Sequence, residues 1–179
     1  MKKITLAVFL SGIVFTGYSQ TEQGDWLVGG RIDINTGDNS THIGISPNGG
    51  YFVVKNVAVG GNLVVDYNKT GDVKVTDIGV GPFARCYFGK AKARPLLQAG
   101  ISFLSSQAKG PGFSNTNSGN NIFLGGGVAV FINDNATVEI LTGYSHTKYK
   151  GFTGNSGFNL GIGFQVYLSK RQVDKLRGN

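Results

Sequence analysis

The sequence predicts an all-β fold, an eight-stranded antiparallel up-and-down transmembrane β-barrel. Three observations carry this expectation. Beyond residue 20 the chain alternates apolar with polar or glycine positions at period two, the signature of strands with unlike faces. Its 29 glycines, with no long apolar run after residue 20, disfavour helices as the main element. Its connectors alternate between tight and long, as they do when strands cross a layer and return.

The elements follow in order. Residues 1–19 read as a signal peptide: Lys2 and Lys3, an apolar run from Ile4 to Phe15, then the small Gly17 and Ser19 before a cut at Gln20. That run is shorter than the roughly twenty residues of a membrane-spanning helix. Residues 20–169 form the barrel and residues 170–179 a basic C-terminal tail. In the first strand, "DWLVGGRIDIN", Trp26, Val28, Ile32 and Ile34 oppose Leu27, Gly29, Arg31 and Asp33. The second sends Ile43, Ile45, Pro47 and Tyr51 one way and His42, Ser46 and Asn48 the other. The third opposes Val59, Leu63 and Val65 to Asn62 and Asp66, and the fourth runs from Val73 to Phe88. Four more strands lie in "RPLLQAGISFLSS", "NIFLGGGVAVFIN", "ATVEILTGYSH" and "GFNLGIGFQVYL". In every strand one face reads as apolar and the other as polar or glycine. "VKN", "GKAKA" and "NDN" are the tight links. "TGDNS", "NKTGD", "QAKGPGFSNTNSGN" and "TKYKGFTGNS" read as longer polar loops. Pro47 and Pro82 fall inside strands, where each removes a ladder donor, so a bulge is expected at each.

Which face meets lipid is decided by charge. Arg85 stands inside "GVGPFARCYF", and a guanidinium cannot sit in hydrocarbon without partners. A closed barrel resolves this if Arg85 points inward while Ala84 and Cys86 face lipid. The inward parity carries both signs of charge at Arg31, Asp33, Asp66, Asp77, Arg85 and Glu139, a structural polar network for the lumen. Glu139, with one of the three aspartates, is the expected partner of Arg85. Eight strands enclose an interior only wide enough to be filled by side chains, so no wide pore is expected. Tyr51, Tyr67 and Tyr144 lie where an interfacial girdle would place them.

The segments "ISPNGGYFVVKNVAVGGNL", "GPFARCYF", "RPLLQAGISF" and "ATVEILTGYS" resemble successive hairpins of the small outer-membrane β-barrels that include the OmpX-like proteins and the OmpA membrane domain. The resemblance spans most of the chain after residue 20. It implies a monomeric barrel in the outer membrane of a Gram-negative bacterium, in contact with membrane lipids and lipopolysaccharide. An extracellular ligand would be met through the loops, with "QAKGPGFSNTNSGN" the first place to look. Such barrels commonly end on an aromatic residue, whereas this chain continues past Tyr167 and Leu168.

Catalytic and cofactor motifs are thin. The two histidines, His42 and His146, belong to no metal-binding spacing; Cys86 is the single cysteine, and no GxSxG or phosphate loop occurs. No cofactor, metal or catalytic residue is expected. The formal charge of +7 falls to +5 without Lys2 and Lys3 and is concentrated in local patches, which does not suit nucleic acid. The reading is a non-enzymatic integral barrel with an envelope-structural or loop-mediated binding role. Two alternatives stand beside it. One is a lipid A-modifying enzyme, although the adjacent Ser145 and His146 would point to opposite faces of a strand. The other is an exported soluble β-barrel binding module.

Overall fold

The computed structural model describes residues 21–37 and 40–176; the expected signal peptide lies outside them. Eight strands follow one another: β1 (Trp26–Gly37), β2 (Ser40–Val54), β3 (Val57–Thr70), β4 (Val73–Tyr87), β5 (Ala93–Gly110), β6 (Phe113–Asn133), β7 (Ala136–Tyr149) and β8 (Asn155–Leu168). Each pairs antiparallel with its neighbour, and β8 returns to β1 to close the barrel. A short helix, α1 (Lys170–Leu176), follows. The closing ladder runs only from Trp26↔Leu168 to Ile32↔Ile162, whereas β1 and β2 pair along the full length of β1.

The apolar parity faces outward. Leu160 and Phe103 are 68% and 63% exposed, while Arg85 and Glu139 are 4% and 2% exposed. A wall carrying Ile32, Leu63, Ile78, Leu124 and Ile162 in the open would be a large contiguous apolar patch in water. Acyl chains are the medium in which it costs nothing. Trp26 packs edge-on to Tyr51, with centroids 5.4 Å apart, at the rim of the short turns. That places an aromatic pair where a membrane interface requires one.

The two rims differ. At one, β2 and β3 are joined by Lys55 and Asn56, with Asn56 at φ 66°, a left-handed conformation that asparagine tolerates. At the other, β5 and β6 remain paired out to Gly110↔Phe113 around Pro111 and Gly112. The segment "QAKGPGFSNTNSGN" is therefore a continued hairpin and not the loop its composition suggests. Its Asn, Ser and Thr residues read as turn formers, but cross-strand pairing satisfies their backbone out to the tip. The 21 residues of β6 exceed the nine to eleven that suffice for a crossing, so this hairpin is longer than a crossing needs.

Two further expectations are corrected. Pro47 and Pro82 produce no bulge: pairing is interrupted beside each, between Ile45↔Val65 and Asn48↔Asn62 and between Val80↔Phe103 and Phe83↔Gly100, but the register resumes unchanged. Each proline loses its ladder bond on one side without adding a residue, and Gly30 and Gly61 lie opposite them on the other. The register shifts occur at Phe52/Val54 and Phe131/Asn133, next to tight turns.

The tail begins as structure too. Ser169 and Gln172 cap α1 reciprocally: the Gln172 amide donates to Ser169 Oγ at 3.4 Å, and the Ser169 amide donates to Gln172 Oε1 at 2.9 Å. Asn135 Nδ2, in the β6–β7 turn, also donates to Gln172 Oε1, at 3.2 Å.

Candidate functional site

The lumen has two halves of different character. Toward the short-turn rim it is packed with apolar and aromatic side chains: Leu27, Phe52, Ala58, Tyr87, Leu96, Phe131 and Tyr167 are all buried. This corrects the expectation of an inner face that is polar or glycine throughout. Tyr167 is the hub, with ring centroids 5.3 Å from Phe131, 6.2 Å from Phe52 and 6.2 Å from Tyr87. Each such ring removed from water contributes about 2 kcal/mol or more. Arg94 closes the plug from below, its guanidinium 4.3 Å from the Phe131 centroid and donating to Thr21 Oγ1 at 3.0 Å.

Above the plug lies the layer that answers what Arg85 faces. Its Nη1 donates to Glu139 Oε2 at 2.9 Å and to the Tyr87 hydroxyl at 3.1 Å, and its Nε donates to Gln98 Oε1 at 2.9 Å. The Tyr87 hydroxyl in turn donates to Glu139 Oε1 at 3.1 Å and accepts from the Tyr167 hydroxyl at 3.0 Å. β4 is thereby bolted to β7 across the barrel. The partners of Arg85 are Glu139, Gln98 and Tyr87, and not an aspartate. A buried pair of this kind does not raise stability cheaply, since desolvation offsets much of the attraction, but removing one member strands the other.

The second half, toward the long-hairpin rim, is not filled. A cavity of about 850 Å³ runs up from the Arg85 layer. The filled lumen expected of eight strands holds only below that layer. Inward positions here carry short polar side chains (Ser46, Asn48, Asn62, Ser102, Asn121) or glycine, which leave space that the aromatics close below.

Arg31 and Asp33, two residues apart on one face of β1, pair at 3.0 Å, and Arg31 also lies 5.2 Å from the centroid of Phe123 across the lumen. Gly161 makes room for that pair: a Cβ there would overlap Asp33 Oδ1 and the aliphatic stem of Arg31. Gly44 does the same for the neighbouring carboxylate, a Cβ standing 2.5 Å from Asp66 Oδ1 and 3.4 Å from His42 Nε2. Asp66 and Asp77 are directly opposite each other on β3 and β4. Tyr149 and Ser106 stand beside Asp77. The six charged residues predicted for the lumen all line this cavity. The structure joins four of them as two ion pairs; Asp66 and Asp77 belong to neither, and Asp77 is buried against Tyr149.

Among the described residues, Ser145 and His146 are not brought together as a nucleophile and base. Ser145 turns inward to Asn159, its Oγ accepting from Nδ2 at 3.1 Å, while His146 turns to the outer face. His146 Nδ1 is 2.7 Å from Ser156 Oγ, but the two are ladder partners of β7 and β8, and no acid is bonded to the ring to orient it. Among the described residues no group of three or more His, Cys, Asp or Glu is placed to hold a metal ion.

An apolar outer wall, a closed meander and a charged interior define a small transmembrane β-barrel. Its fold is similar to that of solved small outer-membrane barrels. Neisserial surface protein A superposes with a TM-score of 0.62 at 15% identity, over 79% of this chain and 94% of that one. The N-terminal β-barrel domain of Pseudomonas aeruginosa OprF gives 0.58 at 15% identity, over 82% and 98%. Ail, the attachment invasion locus protein of Yersinia pestis, gives 0.53 at 11%, over 82% and 99%. Identities this low establish a shared fold. No family model matches the chain, and no curated protein sequence is significantly similar to it.

Proposed function

We propose that the chain is a non-enzymatic integral outer-membrane barrel of a Gram-negative bacterium, monomeric and in contact with lipid and lipopolysaccharide. It stabilises the envelope and presents the β5–β6 hairpin as a binding surface for an extracellular ligand. In this reading residues 1–19 are removed on export, residues 20–169 form the barrel, and residues 170–179 remain outside the bilayer as the basic tail. The observation that carries the reading is sidedness: aliphatic side chains such as Leu160 cover the outside, and the Arg85–Glu139 pair is sealed within. The long hairpin supports the binding role because it extends a rigid, polar, lipid-free edge beyond the membrane.

Fractionation tests this. The protein should sediment with the outer membrane, leave it only with detergent, and migrate differently on gels before and after boiling. Recovery from the soluble periplasmic fraction would overturn the reading and favour a soluble module.

A further inference from the structure

We propose that the upper lumen is a binding site for a small linear diamine or polyamine, taken up from the long-hairpin side. The first observation is charge. Four carboxylates (Asp33, Asp66, Asp77, Glu139) line the cavity with two guanidiniums (Arg31, Arg85), and both guanidiniums are already paired. The remaining pair, Asp66 and Asp77, are cross-strand neighbours on one face, an arrangement that repels unless a cation lies between or beside them.

The second observation is independent of charge. Four buried side-chain polar atoms among the described residues have no hydrogen-bond partner: Asp33 Oδ1, Asn48 Oδ1, Asp77 Oδ1 and Gln165 Oε1. All four are acceptors, and all four residues line this one cavity. Asp77 is 7% exposed and Gln165 1%, so neither recovers the lost bond from bulk solvent at little cost. A site built of unmatched acceptors and excess negative charge selects a guest that is cationic and rich in N–H donors.

The arrangement also sets the guest's shape. The acceptors are spread from Gln165, near the Arg85 layer, up to Asp77 beside Tyr149, and among the described residues no group of three or more His, Cys, Asp or Glu is placed to hold a metal ion. A compact metal ion would satisfy one end only. An ammonium at each end of a short methylene chain spans the cavity, with the apolar middle against Phe83, Phe123 and Leu104. His42 faces the same space but its Nδ1 is engaged with Asn68 Oδ1 at 2.8 Å, so it competes for Asp66 only through Nε2.

The test is an NMR titration of the full barrel, refolded in detergent micelles, with 1,4-diaminobutane. Sodium chloride and magnesium chloride at matched ionic strength are the comparisons. Saturable shifts are expected at the amides of Gly44, Asp66, Asp77 and Ser106, with little response to sodium. Substituting Asp66→Asn and Asp77→Asn together should weaken the diamine by about tenfold, the scale of losing charge-assisted hydrogen bonds, while Lys74→Gln on the outer wall should leave it unchanged. Shifts that sodium reproduces, equal binding by the double variant, or magnesium displacing the diamine at matched ionic strength would each overturn the proposal. If the double variant does not refold, the three wild-type titrations decide alone.

Discussion

The two halves of the lumen treat their polar groups in opposite ways. Below, the guanidinium, Gln98, Tyr87, Glu139 and Tyr167 close on one another above an aromatic floor. Above, three side-chain oxygens among the described residues, on Asp33, Asn48 and Asp77, have no partner, and the walls stand apart. The lower half is built for rigidity, because an unmet group there would face a dry interior. The upper half leaves acceptors without a partner in the protein, and the proposed diamine site rests on that difference.

Breaking the lower half should have the largest effects. Glu139→Ala removes the carboxylate bonded to Arg85 and should cost about 4 kcal/mol in urea unfolding of the micelle-embedded barrel. Replacing both, as Arg85→Met with Glu139→Leu, should recover most of that loss; no recovery would mean that the pair itself holds β4 to β7. Next, Phe131→Ala opens a hole under Tyr167 and should cost about 3 kcal/mol by the same measurement. Tyr167→Phe keeps the ring but deletes one hydroxyl from the network, with about 1 kcal/mol expected. The smallest effect belongs to the upper half. Asp77→Asn should leave stability within about 0.5 kcal/mol of wild type or raise it, since it relieves the repulsion from Asp66. A loss comparable to that of Glu139→Ala would erase the distinction between the halves.

Much of this architecture is legible from residue parity. Arg85 cannot be tolerated in lipid, and that single constraint assigns an inside and an outside to every alternating strand. It also nominates Glu139, because inward charges must find one another. Gln98 is a ladder neighbour of Arg85 and lies within reach of register arguments. Tyr87 and Tyr167, whose hydroxyls meet 80 residues apart, depend on how far the strands are sheared on closure, which local pattern does not encode. The aromatic floor is hidden for a related reason. Phe52, Tyr87 and Tyr167 share the inward parity of Asn48, Arg85 and Gln165 on their own strands, but near strand ends an inward ring and an outward girdle ring look alike in sequence. The β5–β6 hairpin is hidden by composition, since Asn, Ser and Gly are common to turns and to strands whose side chains meet water on both faces.

The short β1–β8 ladder gives the cylinder a seam. Beyond Ile32 and Ile162 the two edges run on without bonding each other, so the amides of residues 33–37 and 155–161 that point across that gap lack the interstrand shielding enjoyed elsewhere. In deuterium exchange they should be the earliest to label, and they mark the margin at which the sheet can part while its other joints stay fastened.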